Sequence, residues 1–134
     1  MTTVAVTGGR TYSNRARVHQ ILDAAVDRLG MTELVVGDAD GLDKLAREWA
    51  RERGFPMREF KADWNDLTKP DARIRKRRDG SRYDANAGPR RNGEMLTRGR
   101  PSKLLAFPGG DGTRDCMRQA RAREIEVVLV DWAG

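Results

Sequence analysis

Apolar residues recur along the chain in two periods, and the alternation between them predicts its elements. Val4-Ala5-Val6-Thr7 is a short apolar run that ends at Gly8-Gly9, and Glu33-Leu34-Val35-Val36-Gly37 repeats the form of a buried strand closed by glycine. Between them Val18, Ile21, Leu22, Ala25, Val26 and Leu29 return at helical spacing, with Asn14 placed to cap the start. A second helix is expected from about Gly41 to Arg53, carrying Leu42, Leu45, Ala46, Trp49 and Ala50 on one face and stopping at Gly54. Pro56 to Phe60 reads as a third strand. Over residues 61–87 the apolar periodicity disappears, and Lys69-Pro70, Asp79-Gly80 and Arg75-Lys76-Arg77-Arg78 give turn and charge signals, so this stretch reads as a long loop or flap. A short helix from about Arg90 to Thr97, a strand at Lys103 to Phe107, a helix over about Thr113 to Arg123 and a strand at Ile125 to Val130 complete the pattern.

Strands alternating with helices predict an α/β fold, a Rossmann-like, doubly wound, parallel five-stranded sheet in the order 3-2-1-4-5 with the basic flap inserted after the third strand. Short strands rich in Val and Leu suit a sheet covered on both faces. In that order the chain reverses direction between the first and fourth strands, and the crevice at their carboxyl ends is where ligands bind.

Composition narrows the picture. The chain has 134 residues, enough for one domain that buries about two-thirds of its unfolded surface without disulfides or a structural metal. A single cysteine, Cys116, excludes an internal disulfide and a zinc site built from several thiolates, which makes a reducing, cytoplasmic setting the expectation. No stretch approaches the roughly 20 apolar residues that cross a bilayer, so no membrane partner is expected. The formal charge of +6 is unevenly spread: residues 1–60 balance at 0, residues 61–103 carry +7 and residues 104–134 carry −1. The basic excess is therefore a local feature of the flap and the helix after it.

The expected topology sets the two most glycine-rich turns, Gly8-Gly9-Arg10 and Pro108-Gly109-Gly110-Asp111-Gly112-Thr113, side by side at the switch point. Glycines let backbone approach a ligand, and the helix start behind them adds partial positive charge, which together suit a phosphate. Thr7 and Thr113 supply hydroxyls and Arg10 a forked cation. The alternative is that each glycine only closes a tight turn. Gly37-Asp38-Ala39-Asp40-Gly41-Leu42-Asp43 also joins a strand to a helix. It lacks the oxygen donors and closing Glu of a calcium loop, and no metal or cofactor is expected. Asp38 or Asp40 is read as the cap of the following helix, while any of the three carboxylates can instead hold ribose hydroxyls beside the phosphate loop. Arg90, Arg91 and Asn92 follow Gly88-Pro89 at a helix start and describe either an anion site or a solvated basic corner. Trp64 opens the flap and is a candidate to stack on a base. His19, the chain's single histidine, lies far from every glycine loop and reads as a surface residue, so a classical acyl-transfer triad is not expected.

Val-Thr-Gly-Gly-Arg near the start, Gly-Leu-Asp-Lys-Leu-Ala-Arg-Glu-Trp-Ala at 41–50, Ala-Asp-Trp at 62–64, Gly-Pro-Arg-Arg-Asn-Gly-Glu-Met at 88–95 and Phe-Pro-Gly-Gly-Asp-Gly-Thr at 107–113 occur in order along nearly the whole chain. The set resembles the YspA-like (cpYpsA-related) branch of the SLOG superfamily, a Rossmann-like group related to the Lonely Guy phosphoribohydrolases and DprA. The resemblance implies one SLOG-like domain over residues 1–134, a nucleotide-type small molecule related to NAD or ADP-ribose as ligand and self-association into a homo-oligomer, while the kinship with DprA and the basic flap together offer nucleic acid, bound through residues 73–103, as an alternative partner. The phosphoribohydrolases carry Pro-Gly-Gly-x-Gly-Thr-x-x-Glu, the glutamate acting at the ribose with an assisting arginine. Here Arg91 matches the arginine, but Cys116 stands at the glutamate position with Asp115 beside it. A neutral thiol cannot stabilise an oxocarbenium ion. The expectation is therefore a binding protein that senses or sequesters its ligand, with Arg91 and Asp115 as the catalytic candidates if the ligand is cleaved.

Overall fold

The computed structural model describes residues 1–132. The first half of the chain alternates β1 (Thr3–Thr7), α1 (Arg15–Leu29), β2 (Glu33–Gly37), α2 (Leu42–Arg53) and β3 (Met57–Phe60). The second half contains β4 (Ile74–Lys76), β5 (Arg82–Asp84), α3 (Ala87–Gly99), β6 (Lys103–Ala106), α4 (Asp111–Ala122) and β7 (Glu126–Leu129). Five strands form one parallel sheet in the order β3-β2-β1-β6-β7. With the flap's two strands set aside, this is the 3-2-1-4-5 order the sequence predicts.

The period of two in the central strands divides the core into two layers. Val4 and Val6 of β1 point to the layer built with α1 and α2, where Val18, Leu22, Leu42 and Trp49 are fully buried. Ala5 points the other way, towards Leu96, Cys116 and Ala120 of α3 and α4. Leu34, Val35 and Val36 are inaccessible to solvent, each contributing about 1.5–3 kcal/mol by burial. Glycine lets α3 approach this sheet closely: a Cβ on Gly99 would sit 3.3 Å from both methyls of Val35.

The helix ends are resolved unequally. Asn14 caps α1 by accepting a hydrogen bond from the Arg17 backbone N–H at 3.1 Å, as the sequence predicts. Neither Asp38 nor Asp40 caps α2. Its cap is Gly41, with φ +71°, and no side chain bonds the first turn. Glycine is required there because a Cβ would run into the Gly9 carbonyl and the backbone of Arg10.

Three further readings change. The flap contains a short antiparallel hairpin, β4 with β5, in which Arg75 pairs with Tyr83 and Lys76 with Arg82. Helix α3 begins at Ala87, three residues before Arg90, because Pro89 falls in the first turn, where no N–H is needed. His19 is not a free surface residue: its side chain is wedged between α1 and α2, and its Nε2 is buried with no hydrogen-bond partner. Burial, followed by the charges of Arg15 and Arg53, pushes its pKa down. Among the described residues, no helix is long and apolar enough to cross a membrane.

Candidate functional site

β1 and β6 are hydrogen-bonded neighbours, so the loops that leave their carboxyl ends emerge together. They touch directly. The Gly9 N–H donates to the Pro108 carbonyl at 2.9 Å, and the Phe107 N–H donates to the Thr7 carbonyl at the same distance. Close packing accounts for several of the glycines. A Cβ at Gly8 would lie 2.5 Å from Leu42 Cγ, and one at Gly109 would collide with Thr113 Oγ1. At Gly110 and Gly112, by contrast, a Cβ would meet no heavy atom within 4 Å, so packing gives no reason for glycine at either position.

Three helices direct their amino ends at the same crevice without a side-chain cap: α2 at Gly41, α3 at Asn86 and α4 at Gly110. The first turn of each carries N–H groups with no partner inside the helix and the positive end of its dipole. In α4 these are the N–H groups of Asp111, Gly112 and Thr113. In α2 one of them is already used, since the Leu42 N–H donates to the Gly9 carbonyl at 3.1 Å. A cavity of about 930 Å³ opens between these elements, within the size range of small-molecule sites.

The wall opposite the glycine loops is a buried polar cluster. Arg91 of α3 is 8% exposed; its Nη1 donates to Asp38 Oδ1 at 2.6 Å, and its Nε donates to Asn92 Oδ1 at 3.1 Å. The guanidinium lies over Gly37, where a Cβ would come within 2.6 Å of Nη1. Asp43 faces it from α2, with Oδ2 accepting the Ala39 N–H at 3.2 Å. Burial pushes the Asp43 carboxyl up to about 6, against the pull of Arg91.

Asp115 is fully engaged. It accepts from Asn92 Nδ2 at 3.1 Å, Gln119 Nε2 at 2.8 Å and Arg118 Nη2 at 3.2 Å, and so latches α3 to α4. Cys116 points into the core, and burial pushes its thiol up to about 12. At the mouth, Arg10 stacks over the Trp64 ring at 5.2 Å, while Gly88 packs against the ring's edge. A base could therefore reach that face of Trp64 only by displacing Arg10.

Residues 2–66 match the model of YAcAr, the YspA, cpYpsA-related SLOG family. These residues, just under half of the chain, are similar to this SLOG family. The match includes the Gly8-Gly9 loop, Asp43 and Trp64; the Pro108–Gly112 loop and Arg91 lie outside it. Among solved structures, DNA processing protein A (DprA) from Streptococcus pneumoniae is similar at 18% identity and a TM-score of 0.69, over 99% of this chain and 51% of that one. MurG from Acinetobacter baumannii is similar at 11% identity and a TM-score of 0.58, over 96% of this chain and 34% of that one. The chain thus spans about half the length of the first and a third of the second, and at these identities the likeness is one of fold. No curated protein matches the sequence.

Within the fold, most of the candidate residues share the cavity wall, from Thr7 to Arg10, at Gly37, Asp43, Trp64, Arg91 and Asn92, and from Pro108 through Thr113 to Asp115. Three stand outside it. Asp38 lies behind Arg91, accepting from it and from the Ala62 N–H at 3.2 Å. Asp40 is exposed beyond the rim. Arg90 turns away to bind Asp71 and, at 2.9 Å, the fully buried Asp84. Burial alone would raise the Asp84 carboxyl, but the N–H groups of Arg73 and Asn86 together with Arg90 hold it below the ordinary value. The wall also includes Arg73 of the flap and Arg118 of α4. Nothing in the sequence separates Arg73 from its basic neighbours, whereas Arg118 stands one helical turn from Asp115. Among the described residues, no group of three His, Cys, Asp or Glu side chains is placed to hold a metal ion.

Proposed function

We propose that the cavity binds a nucleotide or an NAD- or ADP-ribose-derived molecule and that the protein senses or sequesters it. The observation that carries this reading is the convergence of two hydrogen-bonded glycine loops and three uncapped helix starts on one cavity of about 930 Å³. Phosphate oxygens fit the N–H groups at the start of α4, beside Thr7 and Thr113. Asp43 is a carboxylate on the wall that can accept ribose hydroxyls. Arg91 supplies positive charge from a fixed position, since Asp38 and Asn92 already orient it.

Binding without cleavage is favoured because Asp115 has its oxygens filled by three donors and Cys116 is buried and protonated. Isothermal calorimetry with ADP-ribose, cyclic ADP-ribose isomers, NAD and AMP tests the reading. Saturable binding of one of them is expected, and the absence of heat from all at millimolar concentration rejects it. A second reading rests on Asp43, whose carboxyl titrates near 6 inside the cavity and next to Arg91, a perturbation typical of acid–base groups. In that case water adds to ribose C1′ as the glycosidic C–N bond breaks, and the base leaves with a proton. Release of free base in a chromatogram, lost in Asp43→Asn, would establish hydrolysis; no release across the same four ligands excludes it for them.

A further inference from the structure

The flap carries a charged surface that begins at the cavity mouth and extends beyond it. Its hairpin is fixed at the base, where the Asp84 N–H donates to the Trp64 carbonyl at 2.7 Å and the Ala85 N–H to the Arg73 carbonyl at 2.7 Å. Half of the arginines elsewhere in the chain are matched by carboxylates, as in Arg15–Glu52, Arg17–Asp131, Arg53–Asp23 and Arg58–Glu33. On the hairpin, Arg73, Arg75, Lys76, Arg78 and Arg82 are exposed and, among the described residues, their side chains meet no acid. Lys76 and Arg82 stand opposite one another in the register and point to the reverse face of the hairpin, while Arg73, Arg75 and Arg77 share the face of Tyr83.

Aromatic rings run through this charge. Arg10, Trp64, Tyr83 and Arg77 form a continuous row of contacts, with 5.2 Å from Arg10 to Trp64, 6.3 Å between the two rings, which are tilted by 57°, and 4.9 Å from Tyr83 to Arg77. Arg75 pairs directly with Tyr83 and so shares its face of the hairpin. One end of the row is at the cavity mouth, where Arg10, Trp64 and Arg73 all line the wall.

We propose that this strip binds single-stranded nucleic acid. Cations placed along a backbone path, interleaved with rings and guanidinium planes on which unpaired bases stack, are the features such a ligand selects. A duplex keeps its bases stacked internally and gains only the charge. An acidic peptide likewise gains the charge and leaves the rings unused. The strip does not require the cavity to hold a nucleotide, so each assignment stands or falls by its own assay.

Fluorescence anisotropy with a fluorescein-labelled oligodeoxythymidylate of about 12 nucleotides tests the proposal, with oligouridylate, a duplex of equal length and polyglutamate as competitors. The four cations on the ring-bearing face, Arg10, Arg73, Arg75 and Arg77, predict a slope of roughly −3 in log affinity against log salt for a single strand. Either single strand should compete at least tenfold better than the duplex or polyglutamate. The triple variant Arg73→Gln, Arg75→Gln, Arg77→Gln should weaken binding at least tenfold and flatten the slope by about 2. Tyr83→Leu, which leaves the charge intact, should weaken binding at least fivefold with the slope unchanged. A slope shallower than −1, equal competition by duplex or polyglutamate, or full affinity in the triple variant overturns the proposal.

Discussion

Substituting Gly110→Asp should make the protein more stable and a poorer binder at once. Gly110 is the N-cap of α4, its φ of −102° suits any residue, and a Cβ there points into open space. An aspartate can therefore do what no side chain now does, accepting from the N–H groups of the first helical turn. Relative to glycine, such a cap contributes a few tenths of a kcal/mol, and its charge against the helix dipole adds about 0.3–1 kcal/mol. Asp111 next to it opposes part of that gain, leaving about 0.5–1 kcal/mol, or roughly 2–4 °C in Tm for a chain of this size. The same carboxylate occupies the N–H groups proposed to hold phosphate. Losing one charge-assisted hydrogen bond costs the ligand about 1.5–3 kcal/mol, and a like charge at about 4 Å adds at least 1 kcal/mol. The sum of about 3 kcal/mol corresponds to a loss of affinity of at least 100-fold. Differential scanning fluorimetry without ligand and calorimetry with whichever nucleotide binds the parent read the two effects separately. A variant that melts below the parent, or that binds its nucleotide undiminished, refutes the reasoning.

Other expectations concern the polar wall and the cavity mouth. With the Asp43 carboxyl raised from 3.8 to about 6, the folded state holds a proton that the unfolded state has released, so stability is greatest below the ordinary value and is lost as pH rises to about 6. The difference in urea stability between parent and Asp43→Asn should shift by on the order of 3 kcal/mol in the variant's favour between pH 4 and pH 7; a pH-independent difference would count against the buried carboxyl. Cys116 should resist iodoacetamide at pH 8 until denaturant is added, and rapid labelling of the native protein would contradict its place in the core. Ligand phosphate should draw Arg10 off the Trp64 ring, so saturating nucleotide should change the tryptophan emission of the parent but not that of Trp64→Phe; an unchanged response in the variant would assign the signal to Trp49 or Trp132.

Much of the fold was legible because it rests on local regularities. The Val and Leu runs at 4–6, 34–36 and 104–105 are long enough to announce buried strands, and α1 and α2 show their apolar stripes plainly. The approach of the two glycine loops followed from strand order alone. The hairpin was not legible, because its strands are three residues long, rich in Arg, and held by Asp84, a buried carboxylate that accepts two backbone N–H groups. Arg90 was misleading for a related reason. Adjacent arginines at a helix start suggest an anion site, but consecutive helix residues point about 100° apart, so Arg91 faces the cavity while Arg90 meets the flap. The capping role expected of Asp38 or Asp40 failed because α2 starts against Gly9, where only a glycine fits.

The central claim is that N–H groups of the glycine loops and of the α4 start take up phosphate oxygens. A titration of uniformly ¹⁵N-labelled protein with ADP-ribose, followed by amide correlation spectra, addresses it residue by residue. The account predicts that the largest shifts fall on Gly8, Gly110, Asp111, Gly112 and Thr113, while the Gly9 amide, already bonded to Pro108, moves less. Saturable binding that leaves the Gly110–Thr113 amides in place would contradict it.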